Sequence, residues 1–156
     1  MFLNLPPQII VFFLAMLPLG ERAAIPVAMK VYGLSPWQSL GLSFLGAIIP
    51  VFAIIFLLGP VSFYLSKKFS FIKNFFNWLF KYTRKKHGKH FEIFEELALL
   101  IFVSIPLPMT GPWSGALASF VFGIKPKKAL PLIFAGVFIS GVIIIFLTEG
   151  ATIIFR

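Results

Sequence analysis

The sequence contains no cysteine, and it has few charged residues of either sign. The absence of cysteine excludes disulfide bonds, iron–sulfur clusters and thiol nucleophiles. Charged residues make up 12% of the chain and only five residues are acidic, whereas 59% are apolar. So few polar side chains cannot cover a water-facing surface. Most of the chain is therefore expected to face lipid.

Residue patterns of catalytic and metal sites are also missing. The chain has no Ser-His-Asp spacing, no phosphate-binding loop and no pair of carboxylates whose spacing indicates a shared pocket. His87 and His90 are three residues apart, but Glu92 is the only further ligand type beside them. We therefore expect no enzymatic activity, no cofactor and no bound metal.

The net charge of +9 is concentrated between apolar runs, with eight basic residues within positions 67–89. Because these residues separate apolar stretches, we expect no nucleic-acid partner. Interleaved aromatic residues make the segment resemble an interfacial amphipathic helix attracted to anionic lipid head groups. The alternative is that the basic residues only set the orientation in the membrane.

Four long apolar stretches flank this segment, and each has the roughly 20 residues that a helix needs to cross a bilayer. They comprise residues 5–32, 35–65, 91–124 and 128–155. The first and third contain prolines and glycines that a continuous helix would not carry at mid-depth, so each is predicted to be a re-entrant hairpin. The residues expected at the hairpin tips are Pro18, Gly20, Pro26, Pro106, Pro108 and Pro112.

Basic residues favour hairpins over four crossings. If all four stretches crossed, Lys125, Lys127 and Lys128 would lie opposite the eight basic residues of positions 67–89. With two hairpins, all eleven lie on one face, as the positive-inside rule prefers. The chain is then a multi-pass cell-membrane protein with a cytoplasmic connector at 67–90 and both termini outside.

The two halves of the chain are related in sequence. An ungapped shift of 90 positions makes about fourteen of forty residues identical, beginning with Pro18 and Pro108. The matches continue through Gly46 and Gly136 in the predicted crossing helices. Each half, 1–66 and 91–156, has one hairpin and one crossing, so the second must be inverted. The predicted fold class is an all-α integral membrane protein with an inverted-topology repeat.

A binding site is predicted between the hairpin tips. The returning half-helices should begin near Glu21 and Pro112, with Gly20 and Thr110 as N-caps, so that free backbone N–H groups attract an anion. Arg22 would serve as the anion clamp and Glu21 as its counter-ion or a proton-binding group. In the structural alternative, Glu21 and Arg22 only neutralise each other. The predicted substrate-binding residues are Glu21, Arg22, Thr110, Gly111, Trp113 and Ser114.

Residues 106–118, together with Arg22-Ala23-Ala24-Ile25-Pro26, resemble the small multidrug export protein family of prokaryotes. That family is distantly similar to the DedA, or VTT-domain, superfamily of paired re-entrant hairpins. The resemblance implies translocation of polyprenyl phosphate carriers by acidic and arginine residues at the hairpin tips. This chain departs from the superfamily in having no Lys or Arg between Leu97 and Ile124.

Three functions are left open at this stage. The favoured one is translocation of an anionic lipid carrier, a polyprenyl (undecaprenyl-type) phosphate, with proton coupling through Glu21. The alternatives are a small-molecule or multidrug exporter and a non-transporting membrane scaffold. The expected partners are membrane lipids with anionic head groups, and a homodimer would help a unit of this size to enclose a site. Glu149 is expected to pair with Lys30.

Overall fold

The computed structural model describes residues 5–18, 20–68, 73–74, 77–78, 81, 89–107 and 110–154. Six helices are defined within these ranges, and none of the described residues belongs to a strand. They are α1 (Pro7–Met16), α2 (Gly20–Lys30), α3 (Pro36–Lys68), α4 (Lys89–Ser104), α5 (Pro112–Val121) and α6 (Pro126–Ile154).

Two of these helices are long and apolar enough to cross a membrane. The candidate spans are Pro36–Val61 within α3 and Pro126–Ile154, which is α6, with mean hydropathies of 2.6 and 2.7. They correspond to the two stretches predicted as crossing helices. Both spans begin with a proline, Pro36 and Pro126. Proline suits the first position of a helix, because the N–H group that it lacks would have no partner within the helix there. The other four helices have 10 to 16 residues.

The helices are interrupted where the sequence predicted. The first break lies between Met16, which ends α1, and Gly20, which begins α2. The second break lies between Ser104, which ends α4, and Pro112, which begins α5. Two predicted assignments at the first break are wrong. Gly20 is the first residue of α2 rather than its N-cap, and Pro26 lies inside α2 instead of at the break. The helix continues through Pro26 because proline removes a single backbone hydrogen bond, which helices in membranes can tolerate.

The two halves interlock. In the first half α1 packs on α2 and α3, and in the second half α4 packs on α5 and α6. The second short helix of each half also crosses over, so that α2 contacts α6 and α5 contacts α3. The largest buried cluster lies between α3, α4 and α6, and it includes Val51, Val103 and Ile133. Each long helix is thus held by both halves.

The outer surface of this bundle is apolar. Phe56 and Phe146, which match each other in the 90-residue shift, are 56% and 73% exposed. Meanwhile the side chains of Ser39, Ser119 and Ser140 are almost completely buried. Large contiguous apolar surfaces are rare on water-soluble monomers and mark contact with lipid or another protein.

Glycine allows the helices of each half to approach closely. A Cβ added at Gly46 of α3 would collide with the Phe12 carbonyl oxygen of α1. A Cβ added at Gly136 of α6 would lie 2.7 Å from Cβ of Val103 in α4, well inside van der Waals contact. Small residues at such crossings are typical of helix packing in membranes, where dispersion contacts drive association.

This packing predicts that Gly46→Ala destabilises the protein. The added methyl would meet α1 backbone, which cannot move without displacing the helix, so we expect a loss of about 1–3 kcal/mol in the free energy of unfolding. The matched control is Gly41→Ala in the same helix, where an added Cβ meets nothing within 4 Å. Thermal unfolding in detergent measures both variants. Equal midpoints would contradict the close α1–α3 contact.

Candidate site between the two helix breaks

Arg22 connects the first half of the chain to the second break. It lies in the first turn of α2, and its side chain is half-buried. Its Nη2 donates hydrogen bonds to the Thr110 hydroxyl at 2.9 Å, to the Ile105 carbonyl at 3.3 Å and to the Thr110 carbonyl. These three oxygens belong to two carbonyls and a hydroxyl, and the bonds orient the guanidinium.

Thr110 organises the second break, but it is not the N-cap of α5 as predicted. Its hydroxyl lies 2.7 Å from the Ile105 carbonyl and 2.9 Å from the Leu107 carbonyl, and it accepts the Leu107 N–H at 3.2 Å. The hydroxyl therefore holds together the backbone of Ile105 and Leu107 in the turn that follows α4. The N-cap is Gly111, whose φ of 148° is a conformation that favours glycine.

Trp113 makes the reciprocal contact from the second half to the first. Its indole Nε1 donates a 3.1 Å hydrogen bond to the Met16 carbonyl at the end of α1. A carbonyl in the last turn of a helix has no intrahelical partner, and inside hydrocarbon it has no water either. Arg22 and Trp113 thus join the two breaks in opposite directions.

The remaining predicted site residues are distributed around these contacts. Ser114 donates its hydroxyl to the Gly111 carbonyl at 3.2 Å, and Pro112 is buried at the start of α5, as predicted. Pro18 and Pro106 lie within the first and second breaks. Pro108 and the side chain of Glu21 lie outside the described residues, although the backbone of Glu21 belongs to α2. The binding roles of all these residues stay predictions.

Two helix N-termini lie beside the Arg22 guanidinium. Both α2 and α5 begin beside the contact between the breaks, and a helix N-terminus carries roughly half a positive charge. The first turn of α5 receives no side-chain hydrogen bond from its N-cap. Together with the Arg22 guanidinium, these N-termini can attract an anionic group.

An apolar groove adjoins this site, and sequence reasoning missed it. The Trp113 ring forms one wall, α3 forms the other, and the volume is about 280 Å³. We call this the Trp113 groove; its residues are Ala53, Ile54, Leu57, Leu58, Val61, Trp113 and Leu117. No motif marks these α3 residues, because an apolar side chain in a groove looks the same in sequence as one facing lipid.

Comparison with known proteins identifies the family. A family model described as "Putative small multi-drug export protein" matches residues 21–143, about four fifths of the chain. The chain belongs to this family. The match includes Arg22, the second break and most of α6. Together with the two candidate transmembrane helices, it suggests that this chain is a membrane protein. No curated protein and no solved structure matches the chain.

The geometry of the second break predicts that Thr110→Val lowers the stability of the protein and that Thr110→Ser does not. Thr110→Val keeps the shape but removes the hydroxyl, so Arg22 Nη2 loses one acceptor and the Ile105 carbonyl loses one contact. We expect a loss of about 1–3 kcal/mol in the free energy of unfolding, read from thermal unfolding in detergent. Thr110→Ser keeps the hydroxyl and is the control. Comparable midpoints for the two variants would show that the hydroxyl does not hold the break.

Proposed function

We propose that the chain translocates an anionic lipid carrier of the polyprenyl phosphate class through the site between the two breaks. In this proposal α1–α2 and α4–α5 are re-entrant hairpins, and α3 and α6 cross the membrane. Their lengths support this, since α1, α2 and α5 reach only about 15–17 Å at 1.5 Å per residue. That is about half of a 30 Å hydrocarbon layer.

The inverted repeat is supported by residues that match in the 90-residue shift. Gly46 and Gly136 each lie against the first helix of their own half. Gly33 and Gly123 each follow the second short helix with a φ of 65° and 71°, and the carbonyls at the ends of both helices are bound by N–H groups of the following turn. Residues that match in the 90-residue shift therefore have the same structural role in both halves, which supports the inverted repeat.

The observation that carries the proposal is the position of Arg22. A charged side chain at membrane depth costs at least about 2.5–3.5 kcal/mol, so it is retained where it has a task. The contacts of Nη2 with Thr110 and Ile105 hold this charge where α2 and α5 both begin. A phosphate monoester at this point would gain the guanidinium and the helix N-termini together.

The Trp113 groove supports a substrate with a long apolar tail. Its described lining residues are all apolar, and Trp113 contributes both to the groove and to the contact between the breaks. A lipid phosphate could keep its head at Arg22 while its tail stays in the groove and the surrounding bilayer. The tail then need not cross the polar centre.

Small-molecule or drug export is the second candidate, and the family description favours it. The same Trp113 groove would accept the apolar part of a drug. In either case we propose that the chain is not an enzyme and uses no cofactor. We also propose that the basic connector is cytoplasmic, that both termini are outside and that two copies can pair to enclose the site.

The first test compares Arg22→Gln, Arg22→Lys and wild type in proteoliposomes that contain labelled polyprenyl phosphate. Arg22→Gln should slow translocation at least about tenfold, since hydrogen bonds to charged groups contribute about 1.5–3 kcal/mol. Arg22→Lys should retain part of the rate, because it keeps the charge and loses the planar fork. Lys127→Gln removes an equal charge from an exposed position and should change little.

Each outcome separates the candidates. Translocation of the lipid that is unchanged by Arg22→Gln would overturn the anion-site mechanism. Transport of a cationic drug at the same rate by wild type and Arg22→Gln would favour the exporter function. If neither moves, and charge reversal at the basic residues of positions 81–89 abolishes cellular function while Arg22→Gln does not, the chain is a scaffold.

Proton coupling through Glu21 gives a second test. If Glu21 binds and releases a proton during transport, the rate for wild type should change with pH, whereas Glu21→Gln should transport at a rate nearly independent of pH. Glu92→Gln, at an exposed position near the start of α4, is the control and should keep the wild-type profile. A Glu21→Gln profile equal to that of wild type would exclude this role.

A further inference from the structure

A second groove lies between α2 and α6, away from the contact between the breaks. Its volume is about 570 Å³, within the roughly 300–1,000 Å³ range of small-molecule sites. We call it the Lys30 groove; its residues are Pro26, Lys30, Ile144, Leu147, Thr148, Ala151 and Thr152.

The Lys30 groove is the repeat counterpart of the Trp113 groove. The 90-residue shift aligns four α3 residues of the Trp113 groove in sequence with four α6 residues of the Lys30 groove. The pairs are Ile54 and Ile144, Leu57 and Leu147, Leu58 and Thr148, and Val61 and Ala151. Two positions have changed character: Leu58 is replaced by Thr148, and Lys30 stands where the second half has Phe120. The same concave surface is apolar in one half and amphiphilic in the other.

The polar atoms of the Lys30 groove have a defined chemistry. The Thr148 and Thr152 hydroxyls donate to the carbonyls of Ile144 and Thr148 at 2.7 and 2.8 Å. Their protons are committed to the helix backbone, so both oxygens offer lone pairs to a ligand. Lys30 Nζ is the cation of the groove. Glu149 follows Thr148 on α6, and its Oε1 lies 4.0 Å from Lys30 Nζ, so the two residues pair as the sequence predicted.

This cation and carboxylate remain accessible. The Lys30 and Glu149 side chains are 41% and 51% exposed, and an exposed pair at 4.0 Å holds together weakly. Glu149 is 21 residues beyond Lys128 on α6, roughly 32 Å along the helix at 1.5 Å per residue. That is close to the hydrocarbon thickness, so in the proposed topology, with Lys128 at the cytoplasmic interface, the pair lies at the outer interface among lipid head groups.

We infer that the Lys30 groove binds a zwitterionic aminophospholipid. The lipid phosphate lies against Lys30 Nζ, and its primary ammonium donates to the Glu149 carboxylate and to the threonine hydroxyls. An acyl chain follows Pro26, Ile144 and Leu147. A purely anionic head group would meet the Glu149 carboxylate unfavourably. A choline head group carries the charge but has no N–H to donate to these acceptors.

The test uses the full chain in detergent, titrated with phosphatidylethanolamine, phosphatidylcholine and phosphatidylglycerol and read by native mass spectrometry. Wild type should bind the ethanolamine lipid at least tenfold more tightly than the other two. Glu149→Gln should abolish this preference, and Lys30→Gln should weaken the binding of all three. The control for Lys30→Gln is Lys127→Gln, which removes the same charge from an exposed position on α6 and should behave as wild type.

Some results would overturn the inference. These are equal affinity of wild type for ethanolamine and choline lipids, tighter binding of the glycerol lipid, or an ethanolamine preference that survives Glu149→Gln in a variant whose thermal unfolding is normal. The inference does not depend on the transported substrate. Arg22→Gln should leave ethanolamine-lipid binding unchanged, so failure of the proposed transport function and failure of this site are distinguishable.

Discussion

A broken helix in a membrane must bind its exposed backbone groups to the rest of the protein, and this constraint determines the centre of the molecule. Hydrocarbon offers no water to an open N–H or carbonyl, and an unsatisfied group there costs several kcal/mol. The two breaks of this chain satisfy each other. Trp113 binds the carbonyl that ends α1, while Arg22 and Thr110 bind carbonyls that follow α4. This exchange brings the starts of α2 and α5 to one place, beside the Arg22 guanidinium.

Close helix packing supports that centre from outside. Gly46 and Gly136 allow α1 and α4 to lie directly on the long helices of their own halves. The crossover contacts of α2 with α6 and of α5 with α3 join the halves to each other. The contact between the breaks requires both halves, because Arg22 and Trp113 each bind a residue of the other half. Two grooves follow from the same crossover, since each lies between a short helix of one half and the long helix of the other.

Much of this architecture could be predicted from the sequence, because it depends on local chemistry. Proline and glycine that are clustered within a few residues favour a helix break, so both breaks were predicted within a few residues, whereas the isolated Pro26 and Pro131 lie inside helices. Length and hydropathy identified the two long helices. The errors concern positions decided by a single turn of backbone. Gly111 caps α5 in place of Thr110 because its φ of 148° suits only glycine, and α2 continues through Pro26.

By itself, the sequence determined that most of the chain is apolar, that two helices are interrupted and that Arg22 is placed at an interruption, because composition, proline content and charge are properties of the chain. The tertiary structure decided which atoms meet. That Arg22 contacts Thr110 and Ile105, and that Trp113 contacts Met16, depends on residues more than 80 positions apart. The grooves likewise arise from helix crossings. No local pattern encodes such distances, because they follow from how whole helices pack.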